Sequence, residues 1–185
     1  MSVLLRIVRS IDSASDRVGA ACSWLALLMV LLGAFNAIAR YIGRSIGTDF
    51  SSNAYIEGQW YLFSLLFLLG AGYTLRHDGH VRVDVFYGRL SPRGKAWVDL
   101  VGTLLFLLPF CAVGLLLSWP SVLSSISVRE LSPDPGGLPR YPLKAALLLF
   151  FVLLGLQGCS MAIRNFLRLR GHDGSDPEGT PEEAA

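Results

Sequence analysis

The chain has 185 residues, 52% of them hydrophobic and 16% charged, with a formal net charge of +2 and a mean hydropathy of +0.50. One soluble domain of this size cannot bury that much apolar surface, so the excess is expected to face lipid, and the near-balance of charge excludes nucleic-acid binding through a basic face. Cys22, Cys111 and Cys159 each lie inside an apolar run, where a thiol acts as a small hydrophobe rather than as a disulfide partner or metal ligand.

Taken in chain order, residues 1–17 come first. Leu4, Leu5, Val8, Ile11 and Val18 fall close to one helical face, with Arg6, Arg9, Ser13, Asp16 and Arg17 largely elsewhere. This predicts either an interfacial amphipathic segment on the inner surface or an extension of the first span into water. The first span, 18–39, has only Ser23 and Asn36 as clearly polar residues, and roughly 20 such positions cross about 30 Å of hydrocarbon. Ala37-Ile38-Ala39 resembles a signal-peptidase site, but the apolar stretch before it exceeds the usual length of about 7–15 residues, and Asp12 and Asp16 spoil a cationic leader.

A second span is expected at 54–75, with Ser51 or Ser52 as N-cap and Glu57 in its first turns near the outer interface. Ser91-Pro92 reads as the cap and first residue of the helix carrying a third span, 96–119, with Pro109 and Pro120 as kink points. The run from Ser132 to Pro142 is dense in Pro and Gly and predicts a rigid outer turn before a fourth span, 143–163. Residues 166–185 read as a disordered acidic tail after the membrane domain, 18–165.

Counting Lys and Arg orients these spans. The two ends and the middle loop hold eleven of the 16 basic residues, Arg76, Arg82, Arg89 and Arg93 among them, against five on the other side: Arg40, Arg44, Arg129, Arg140 and Lys144. The excess predicts an all-α integral membrane protein with four transmembrane helices, N-in/C-in.

The interior lacks the chemistry of a self-sufficient carrier. Glu57, Asp99 and Lys144 lie near span ends, and the interior polar residues Asn36, Ser64, Thr74, Thr103, Gln157 and Ser160 suit interhelical hydrogen bonds better than ion coupling. Haem ligation would need histidines on facing helices, yet His77, His80 and His172 all fall outside the spans. His77 and His80 with Asp78 and Asp84 do not complete a metal ligand set, and no P-loop, nucleophile elbow or dinucleotide fingerprint is present. No cofactor and no enzymatic activity are expected.

Four pieces then carry a resemblance: Arg40-Tyr41-Ile42-Gly43; Glu57-Gly58-Gln59-Trp60-Tyr61-Leu62-Phe63; the stretch from Leu69 to Asp84, ending Gly79-His80-Val81-Arg82-Val83-Asp84; and the Gly137-Leu138-Pro139 turn. In this order, over about residues 18–165, they resemble the small membrane subunit (DctQ type) of tripartite ATP-independent periplasmic (TRAP) transporters. The resemblance implies a scaffold for a large membrane subunit, which carries an anionic solute inward, usually on a sodium gradient, after a periplasmic solute-binding protein captures it. Because the chain stops after its fourth span, the large subunit is expected as a separate polypeptide. The Glu57–Phe63 opening and the Pro133–Pro139 loop look like a subgroup associated with 2-oxo acids, mannitol or chloroaromatic acids, which does not fix a substrate.

Several roles follow as expectations. His80, Arg82 and Asp84 occupy the family's motif and would order the inner loop or dock it on the large subunit. Arg76 and its basic neighbours would hold anionic lipids, each worth about 1 kcal/mol. Glu57 would pair with a partner such as Arg40, and Trp60 would sit in the aromatic belt. Gly70, Gly72, Gly155 and Gly158 would allow close contact with the large subunit, and Pro139 would enter the last helix. The rivals are a stand-alone homo-oligomeric channel or small transporter lined by Asn36 and Gln157, and a membrane redox or metal enzyme.

Overall fold

The computed structural model describes residues 2–48, 50, 52–79 and 87–170. Helix α1 runs unbroken through Ser2–Ile46, 45 residues or about 68 Å at 1.5 Å per residue, more than twice a hydrocarbon core. Residues 2–17 therefore continue into the first span with no break, and their buried positions Val8, Asp12 and Ser15 face the rest of the bundle. Helix α2, Asn53–Arg76, starts where Ser52 accepts a hydrogen bond from the Ala54 N–H, at 3.2 Å.

Helix α3 spans Pro92–Ser127. Ser91 caps it by accepting from the Gly94 N–H at 3.2 Å, and Pro92 occupies the first turn, where its missing N–H costs nothing. A π-helical turn, Thr103–Leu107, lies just before Pro109, with the Leu108 N–H reaching back to the Thr103 carbonyl. Pro109 cannot donate to the carbonyl four residues back and its ring crowds it, so a widened turn relieves the clash inside the helix. Pro120 also sits inside the helix, which continues to Ser127. Helix α4, Tyr141–Leu169, carries Pro142 in its first turn.

Among the described residues there is no strand, only an isolated antiparallel bridge between Leu131 and Pro139. Among the described residues three helices, α1, α3 and α4, are long and apolar enough to cross a membrane. Helix α2 has the length, at 24 residues, but Asn53, Glu57 and Gln59 dilute its first half.

Helix α4 is central, packing on α1, α2 and α3, while α1 packs chiefly on α2. The packed interior is thin and mixes apolar residues such as Phe151 and Leu154 with Gln157 and Ser160. Large apolar side chains instead cover the outside of the edge helices, with Trp24 72% and Leu117 75% exposed. Water would penalise such a surface heavily; lipid tails do not.

Glycines let the helices approach. A Cβ on Gly19 would overlap the Tyr73 ring, and one on Gly114 would overlap Phe151. Gly70 faces Cys22 Sγ, Gly72 the Leu153 carbonyl, Gly155 Cys111 and Gly158 Leu107. Of these four, only Gly158 is pressed closely by a neighbour within this chain; at Gly70, Gly72 and Gly155 a Cβ would sit at ordinary contact distance.

Candidate functional site

Two polar clusters close opposite ends of the bundle. The first is built where α2 begins and α3 passes into α4. Glu57, one turn into α2 and only 3% exposed, accepts hydrogen bonds from the Ser132 hydroxyl on one oxygen and from the Leu138 N–H on the other. A carboxylate shielded from water is tolerable only with such donors. The loop folds over it through glycines: Gly136 has φ +72°, and a Cβ on Gly137 would lie 2.7 Å from a Glu57 oxygen. Tyr61, one turn after Glu57, donates to the Pro139 carbonyl at 2.7 Å, and the Asn53 amide donates to the Pro135 carbonyl at 3.1 Å. Within Gly137-Leu138-Pro139 the glycine allows the close approach, while the Leu138 N–H and the Pro139 carbonyl serve as backbone donor and acceptor.

Glu130 completes this outer clasp. It pairs with Lys144 and accepts from Ser125 at 2.7 Å, and its carboxyl is held below the ordinary carboxylate value, first by Lys144 and then by Ser125. The Arg140 N–H donates to the Glu130 carbonyl at 2.8 Å, while Arg140 Nε is buried with no hydrogen-bond partner.

The second cluster joins the start of α1 to the end of α4. Asp12 is buried and accepts from Gln157 at 3.1 Å and Ser160 at 2.9 Å on one oxygen, and pairs with Arg164 at 3.1 Å on the other. Gln157, with 0% exposure, accepts from Ser15 at 2.7 Å. Arg76, at the end of α2, donates to the Asp12 carbonyl and pairs with Asp16, which also meets His77 at 3.2 Å.

The expected residues distribute as follows. Glu57 and Pro139 meet in the outer clasp, whereas Arg40 is exposed and does not pair with Glu57. Trp60 is partly exposed against the Tyr61 ring, 4.6 Å between centroids. Arg76 is engaged by α1 rather than free for lipid, Gln157 is consumed inside the bundle, and Gly70 faces α1. His80, Arg82 and Asp84 lie outside the described residues, as do the tail residues 171–185. The sequence alone does not single out Asp12, since an acid in a polar segment near a terminus reads as surface. The usable signal was the stripe Val8, Asp12, Ser15, Gly19 and Cys22, spaced by four and three, all buried.

A family model described as "Tripartite ATP-independent periplasmic transporters, DctQ component" matches residues 29–168. The chain belongs to this family. The DctQ component is the small membrane subunit of a TRAP transporter, an inner-membrane protein that works with a large membrane subunit and a periplasmic binding protein. The matched region holds the whole outer clasp and the α4 half of the inner cluster, and begins after Asp12 and Ser15. No curated protein and no solved structure gave a match.

Proposed function

We propose that this DctQ component is a scaffold that holds a separate large subunit in place and carries no substrate or coupling ion of its own. The observation behind this reading is that the two buried carboxylates among the described residues are fully partnered. Asp12 is consumed by Gln157, Ser160 and Arg164, and Glu57 by Ser132 and Leu138. A coupling site needs a polar group that can exchange partners with a passing ion, and these carboxylates are committed to tying helices together. Gln157, enclosed on all sides, offers nothing to a pore.

The same reading makes α2 a fourth span, with both termini and the basic middle loop on the cytoplasmic side. Glu57, the charge that most weakens its apolar character, is turned inward under the loop, which supports a lipid-compatible outer surface. The transported solute is an organic acid moved on a sodium gradient by the large subunit, and exposed basic residues of the inner ends, Arg6, Arg9 and Arg17 among them, contact anionic lipids.

The test is reconstitution into liposomes with and without the adjacent large membrane protein and binding protein, with uptake of organic acids measured under an imposed sodium gradient. Uptake is expected only with all three components. Transport by this chain alone would overturn the scaffold reading.

A further inference from the structure

A cavity of about 540 Å³ lies where α3 begins and α4 ends, and the transport reading leaves it unused. Its wall carries both charges. Arg93 and Lys95, from the first turn of α3, share it with Asp99 one turn further along; Asp78 and Arg168, each with a partner of its own, complete the rim. The Tyr87 hydroxyl donates to Asp99 at 2.7 Å, and the Lys95 ammonium lies 5.4 Å from the centroid of the same tyrosine ring, so one residue steadies both charges.

Asn165 of α4 lines this cavity at 5% exposure, and no hydrogen bond among the described residues uses its side chain. Because Asn165 is otherwise enclosed and lines this space, an occupant of the cavity would meet an amide there, which favours one with polar atoms. Beside it, an apolar cleft of about 760 Å³ is lined by Leu4, Trp97, Leu104, Ile163 and Phe166. Leu169 belongs to both walls.

Such a pair of spaces selects among membrane components. A purely anionic headgroup would meet Asp99, and a quaternary ammonium has no N–H to donate to it. A phosphate next to a primary ammonium satisfies both signs, and hydrocarbon suits the cleft. We propose that the α3–α4 seam binds one phospholipid with a phosphoethanolamine headgroup, its phosphate at Arg93 and Lys95, its ammonium at Asp99 and an acyl chain in the cleft. Asn165 donates its amide N–H to a phosphate or glycerol oxygen. The proposal rests on the reading that this end of the bundle lies at the membrane boundary.

The experiment is native mass spectrometry of the full-length chain, delipidated and offered equimolar phosphatidylethanolamine, phosphatidylglycerol and phosphatidylcholine, with soluble phosphoethanolamine as a separate competitor. Phosphatidylethanolamine should be retained at least about fivefold over either rival. Asp99→Asn should abolish its advantage over phosphatidylcholine, and Leu104→Trp, which fills the cleft, should lower retention of the lipid. Circular dichroism establishes that each variant folds; where one does not, the three-lipid competition on the unaltered chain decides.

Equal retention of the three lipids, or preference for phosphatidylglycerol, would overturn the proposal. Full displacement by soluble phosphoethanolamine would overturn the lipid as source, and loss of the lipid on co-purification with the large subunit would assign the seam to protein contact. Assembly with the large subunit but no lipid preference refutes only this proposal; lipid preference without assembly refutes only the scaffold reading.

Discussion

Removing the Glu57 carboxylate would leave the Ser132 hydroxyl and the Leu138 N–H without their shared acceptor in a place that water barely reaches. Glu57→Ala should therefore lower stability by about 1–3 kcal/mol, read as a reduced melting temperature in detergent together with faster proteolysis of the Ser132–Pro139 loop. Glu57→Gln, which keeps one acceptor, should cost less. At the other end, Asp12→Ala strips Arg164 of its buried partner. A double-mutant cycle of Asp12→Ala with Arg164→Ala should return a coupling energy of about 1–3 kcal/mol, and additive effects would remove the pair from the account.

Glu130 supplies a pH dependence. Its carboxyl titrates lower in the folded protein than its ordinary 4.5, because Lys144 and Ser125 favour the charged form. A depressed carboxylate contributes stability that is complete above its unfolded value and disappears as pH falls through the folded one. Acidification from neutral pH to below 4.5 should lower the melting temperature of the unaltered protein, with Glu130→Gln reducing the part of that slope due to the clasp. An unchanged slope would show that the Lys144 pair adds nothing.

At the scale of helices, contact is set by where a side chain is missing. Gly114 lies under the Phe151 ring, so Gly114→Ala must displace that ring or separate α3 from α4. The expected loss is about 1–3 kcal/mol, recovered in part when Phe151→Leu makes room, as followed by thermal unfolding. The π-helical turn before Pro109 belongs to the same scale. A proline in an apolar run announces a disturbance, but whether the helix bends, breaks or widens depends on what packs against it, and here the widened turn packs on α4, with Leu107 against Gly158.

Across the whole molecule, the helices were readable because lipid imposes one requirement on every outward residue, and a run of apolar residues records it directly. The partners of the polar residues were not readable in that way. Glu57 was placed correctly near a helix start, yet Arg40 seemed its natural partner because opposite charges attract in any list of residues. The actual donors come from a loop 75 and 81 positions away that only the folded chain brings back. Asp12 was passed over for the complementary reason: its surroundings in sequence are polar, and only α4 makes its position interior. The family resemblance, by contrast, is carried by four short pieces, and two of them, Glu57–Phe63 and Gly137–Pro139, meet in the clasp.

The link between Asp12 and the final helix also bears on how the protein is made. Synthesis runs from the N-terminus, so α1 leaves the ribosome long before Gln157, Ser160 and Arg164 exist. Until they arrive, the Asp12 carboxylate and the Ser15 hydroxyl have water in place of those partners. The last helix thus serves as a completion seal, exchanging that water for fixed partners and closing the bundle on its own beginning.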